Sequence, residues 1–166
     1  MKLSRIIAAW VVFFSPQAFA EDFEGIVRLV GSAYSATTTL TDASGKQAVN
    51  FCTDDESRRL SRLTGMTVKA SGDWQEATKN KVRCVKLTAF EVLKASSGRD
   101  AVVGVLSQEG ADFAVTTGDG SKRKLSRVPK GLRKMLGKKV IIDVKPMGSP
   151  STKSESWKVV TYAPYP

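Results

Sequence analysis

Residues 63–68, Leu63-Thr64-Gly65-Met66-Thr67-Val68, and residues 136–140, Leu136-Gly137-Lys138-Lys139-Val140, read as the same joint made twice. Each runs from an apolar helix end, through a glycine suited to a left-handed C-cap, into the start of a strand. Matching glycines surround the joint. Gly25 lies 79 residues before Gly104 and Gly45 lies 75 before Gly120, while Gly65 and Val68 lie 72 before Gly137 and Val140. The drift falls where loops change length, so a pattern of about 75 residues is repeated.

Both copies show the same element order. The first has strands at 25–29 and 39–41, a turn at Asp42-Ala43-Ser44-Gly45, and a strand at 48–51. A short helix at 54–63, a strand at 66–70, a polar loop around Trp74 and a long strand at 82–93 complete it. The second has strands at 102–106 and 113–116 and the hairpin signal Gly118-Asp119-Gly120, residues that accept the positive φ of a two-residue turn. A strand at 122–125, a helix at 129–136, a strand at 140–144, a polar loop at 146–155 and a final strand at 157–162 follow. Thr53 and Glu56 have capping-box spacing in the first helix, and Leu60 and Leu63 share a face. Pro129 suits the first helical position of the second, with Leu132, Met135 and Leu136 as its apolar stripe.

Five strands with a helix between the third and fourth is the order of the OB-fold, a partly open five-stranded barrel. Each half resembles an OB-fold domain, and the whole chain resembles small exported bacterial proteins of that class. The expected fold is therefore all-β with short helices, arranged as two tandem OB-like five-stranded barrels at residues 21–97 and 98–166. The resemblance implies a ligand surface on the second and third strands and on the loops joining strands one to two and four to five. Function varies widely on this fold, so its chemistry must come from the residues.

Residues 1–20 read as a secretory signal peptide: Lys2 and Arg5, then nine apolar residues at 6–14, then Ala18-Phe19-Ala20. The apolar run ends at Ser15 and Pro16, well short of the ~20 residues of a membrane span. A soluble periplasmic or secreted protein is expected. In an oxidising compartment the two cysteines, Cys52 and Cys84, favour one disulfide. Two unpaired thiols are the alternative, because Val49 and Phe51 suggest that Cys52 points away from the core.

The chain has no histidine, which excludes Ser-His-Asp and Cys-His nucleophiles and His-based zinc sites. With 26 Lys+Arg against 16 Asp+Glu it is basic, and the excess is uneven. Residues 21–97 carry 11 basic and 10 acidic groups, whereas 98–166 carry 13 and 6. Residues 122–139 hold Lys122, Arg123, Lys124, Arg127, Lys130, Arg133, Lys134, Lys138 and Lys139 with no carboxylate. Such a block is either a solvated surface or a polyanion contact. Acidic glycan, phospholipid, lipopolysaccharide and an acidic envelope protein all suit it. Nucleic acid, the usual partner of a basic OB surface, is less favoured, because export separates the two and Phe51, Phe90, Phe113 and Trp157 read as core. Trp74 beside Lys79, Lys81 and Arg83 is a second possible contact. Histidine-free OB-fold nucleases hold a metal with clustered carboxylates, and here Asp54, Asp55 and Glu56 belong to a helix start and Asp42 and Asp119 to turns. Gly118-Asp119-Gly120-Ser121-Lys122 lacks the P-loop spacing. The reading is a non-enzymatic binding protein without cofactor or metal; a protein adaptor held by apolar contacts is the alternative, and a nuclease-like enzyme the minor one.

Overall fold

Gly25 and Gly104 occupy equivalent places because a side chain fits at neither. A Cβ on Gly25 would lie 2.7 Å from the Thr41 carbonyl oxygen, and one on Gly104 would press on that of Thr116. In the computed structural model, which describes residues 20–32, 35–46, 48–78, 82–147 and 156–166, Gly25 pairs with Val68 and Gly104 with Val140. The helix-to-strand joints repeat atom for atom. Gly65 N–H donates to the Val27 carbonyl at 2.9 Å and Gly137 N–H to that of Leu106 at 2.8 Å, with φ of 87° and 74°. Only glycine takes that backbone conformation at little cost.

The first half comprises β1 (Glu21–Val30), β2 (Thr37–Thr41), β3 (Ala48–Asn50), α1 (Asp55–Ser61), β4 (Thr67–Gln75) and β5 (Cys84–Lys94). The second comprises β6 (Ala101–Glu109), β7 (Asp112–Thr117), β8 (Lys122–Ser126), α2 (Lys130–Arg133), β9 (Lys139–Met147) and β10 (Ser156–Pro164). The first sheet has the order β3-β2-β1-β4-β5; the second has the equivalent order and is closed by parallel pairing of β8 with β10. Among the described residues the fold is therefore mostly β, with two short helices and two OB-like five-stranded sheets.

The seams differ. The second barrel closes through three parallel pairs, Lys124 with Ser156, Leu125 with Trp157 and Ser126 with Lys158. The first has one isolated bridge, Phe51 to Val85, a Cys52 N–H bond to the Val85 carbonyl at 2.9 Å, and the Cys52–Cys84 disulfide. The disulfide expectation holds. Cys52, half-buried next to the fully buried Phe51, turns towards β5.

Two apolar clusters fill the barrels. Val27, Leu40, Phe51, Leu60, Leu63, Val68, Val85 and Leu87 form the first, joined by Ile141 of β9; Ala101, Val103 and Tyr165 pack against it. Leu106, Val115, Leu132, Val140 and Ile142 centre the second. Full burial of each such side chain stabilises the fold by about 1.5–3 kcal/mol. Asp143 is the one acidic side chain in the interior of the described residues. It receives Arg99 Nε at 2.8 Å and Nη2 at 2.9 Å, tying the turn between β5 and β6 to the second barrel.

Several local readings change. The capping box of α1 is Asp54 with Ser57, not Thr53 with Glu56; Asp54 Oδ1 accepts the Ser57 N–H at 2.8 Å, and Glu56 pairs instead with Arg59. The second helix is one turn, and Pro129 is its extended N-cap rather than its first residue. Leu136 is exposed, so the counterpart of Leu63 is Met135, which packs against the second cluster. Residues 118–121 form a four-residue loop with only Gly120 at positive φ, so the hairpin is not a two-residue turn. Trp74 belongs to β4 and pairs with Val85; it is not in a loop. Pro146 and Met147 extend β9. Among the described residues no helix is long and apolar enough to cross a membrane. Of the signal peptide expected at residues 1–20, residues 1–19 lie outside the described residues.

Candidate functional site

The repeat places a cleft at the same address in each half. Because Phe51–Val85 and Leu125–Trp157 are equivalent pairs, Cys52 corresponds to Ser126 and Cys84 to Ser156. The first cleft, about 690 Å³, is lined by Val30 and Thr37, by Asn50 to Asp54 following β3, and by Gln75, Glu76, Val82, Arg83 and Cys84. The second, about 610 Å³, is lined by Gln108, Asp112 and Phe113, by Lys124 to Val128, and by Arg133 and Ser156. Both lie on the second and third strands and their flanking loops.

Their chemistry differs. The first carries the disulfide, hydroxyl and amide groups, charges of both signs in Asp54, Glu76, Arg83 and Lys86, and an apolar rim in which Val82 is 79% and Val30 56% exposed. Trp74 is already engaged. Arg83 lies 4.3 Å from its ring centre, its Nε1–H donates to Glu21 at 2.6 Å, and Phe23 meets it edge-on. Lys79 and Lys81 lie outside the described residues, so of the possible loop contact the structure brings together Trp74 and Arg83.

The basic block falls into three groups. Lys122 and Lys124 pair with Glu109 and Asp112 of the neighbouring strands, the latter at 2.7 Å. Exposed pairs of this kind contribute little stability, but they neutralise charge. Arg123 lies over Trp157 at 5.2 Å, Arg133 over Phe113 at 5.5 Å while donating to the Val128 carbonyl, and Lys139 over Tyr165 at 3.8 Å. These cations cover aromatic rings. Arg127, Lys130, Lys134 and Lys138 are exposed, with no carboxylate in salt-bridge reach among the described residues. Arg127 is also the only described non-glycine residue at positive φ, 53°, a conformation that costs energy and concentrates at functional positions.

Of the aromatics read as core, Phe51 is buried, whereas Phe90, Phe113 and Trp157 are half-buried, with Phe90 stacked on Tyr165 at 5.9 Å. Asp119 accepts hydrogen bonds from the Thr117 hydroxyl and from Ser121, which lower its pKa to about 2 and fix the loop as a hairpin. Among the described residues no three carboxylates or cysteines converge as a metal site. Sequence reasoning missed Lys145 and Lys158, both exposed and directly opposite each other on β9 and β10. They are thirteen residues apart in sequence, and only strand register could have joined them. The chain matches no family model and no curated protein sequence.

Proposed function

We propose that this is an exported, non-enzymatic binding protein whose second barrel contacts a polyanion through the exposed basic residues that run from the end of β8 through α2 to the start of β9. One observation carries the reading: Arg127, Lys130, Lys134 and Lys138 stay uncompensated although neighbouring strands supply carboxylates to Lys122 and Lys124. Repulsion within such a group is relieved by an anionic polymer, with release of its counterions. Acidic glycan, phospholipid or lipopolysaccharide headgroups, nucleic acid and an acidic envelope protein share that chemistry.

The test is retention on immobilised heparin. Lys130→Gln/Lys134→Gln/Lys138→Gln should elute at lower salt than the parent, with an unchanged melting temperature as the folding control. Co-elution of the two would make the block a solvated surface. The exposed Val30 and Val82 at the first cleft support a second reading, a protein partner held by apolar contacts. Such binding would depend little on salt.

A further inference from the structure

Lys145 and Lys158 face each other across the β9–β10 ladder, and Lys158 is in turn beside Ser126 across the parallel seam. Val144 and Val159, the next pair along, are buried, so both lysines point outward from the barrel. Neighbouring strands lie about 5 Å apart. Lys145, Lys158 and Ser126 therefore form a strip about 10 Å long across three strands, in which the two lysines lie outside the block at 122–139 and the strip joins the block at Ser126 and at Arg127, the residue after β8, which lines the second cleft. Like charges directly opposite on adjacent strands destabilise a sheet. No carboxylate among the described residues pairs with either lysine.

Resting on the polyanion reading above, we infer that this strip is part of the binding surface, and that its occupant is an acidic polysaccharide crossing the strands, with successive sulfate or carboxylate groups facing Lys145, Lys158 and Arg127. A single-stranded nucleic acid would need aromatic platforms on the same face. Trp157 lies on the alternate face of β10 beneath Arg123, and Phe113 lies beneath Arg133. An acidic polysaccharide needs only cations at short, regular spacing.

The experiment measures Kd against salt for heparin, the probe, and for single-stranded DNA, using the parent, Lys145→Gln/Lys158→Gln and Lys130→Gln/Lys134→Gln/Lys138→Gln. Loss of two contacts should lower the slope of log Kd against log salt by about 1.4–1.8 and weaken heparin binding about tenfold near 0.15 M salt. The melting temperature of the double variant should stay the same or rise, because the opposed charges are gone. If the double variant binds like the parent while the triple variant is weakened, the strip is overturned and the polyanion reading stands. If the parent itself does not bind heparin, both fall. If DNA binds as tightly as heparin and loses the same slope, the polysaccharide assignment is overturned.

Discussion

The serine pair at the seam of the second barrel specifies the most informative change in the first. Cys52→Ser/Cys84→Ser writes Ser126 and Ser156 into the equivalent positions, but without the three-pair ladder that accompanies them. The bridge closes a loop of sequence separation 32. Loop-closure entropy for that length is about 12 cal/mol/K, or about 3.7 kcal/mol at 25 °C. What remains at the seam is one bridge and one backbone hydrogen bond, with a net worth of about 1 kcal/mol. The expected loss is thus about 3–4 kcal/mol, equivalent to about 10–15 °C in melting temperature for a chain of this size. Urea unfolding followed by far-UV circular dichroism, on the oxidised parent and the double serine variant, measures it. The denaturant slope should change as well, because the unbridged chain unfolds to a more expanded state. A loss below about 1 kcal/mol would refute the reasoning, and would place closure of the first barrel in the packing of Phe51 and Val85.

Three other changes test different parts of the fold. Gly25→Ala forces a Cβ against the Thr41 carbonyl and should cost about 1–3 kcal/mol in urea unfolding, whereas Gly118→Ala, at a position with open space, should be nearly silent. The Arg99 guanidinium holds the Asp143 carboxyl below its ordinary value, so this contribution is complete above about pH 4 and lost as pH falls further. Asp143→Asn should flatten the stability profile below pH 4. Arg99→Ala should cost about 2 kcal/mol, less than the about 3–5 of a fully buried pair because Arg99 is partly exposed. Burial raises the Tyr165 pKa above its usual 10, so its contribution is present below pH 10 and lost as pH rises through the raised value. Tyr165→Phe should keep the stack on Phe90 and remove that alkaline loss.

The architecture was legible because its signals are local or repeated. Gly65 and Gly137 mark the same joint, and Gly25 and Gly104 the same crowded strand position, without knowledge of any partner. The errors arose where two local signals competed: Thr53 and Asp54 both offer a cap, and Asp54 won because Ser57, not Glu56, returns the second hydrogen bond. Leu136 fits a helical stripe on paper, but α2 ends before reaching it. The basic block was visible as composition, yet its compensation was not. Glu109 and Asp112 reach Lys122 and Lys124 through the β6–β7–β8 pairing, and Lys145 meets Lys158 through a ladder with a bulge between Val159 and Thr161.

Ile141 belongs by sequence to the second repeat and by burial to the first core, where it is 1% exposed. A polypeptide cut between residues 97 and 98 would leave each piece with an apolar wound: the N-terminal fragment a vacancy where Ile141 sat, the C-terminal fragment a bare β9 flank. Separately produced pieces should be poorly soluble and recover native character on mixing, as complementing fragments do.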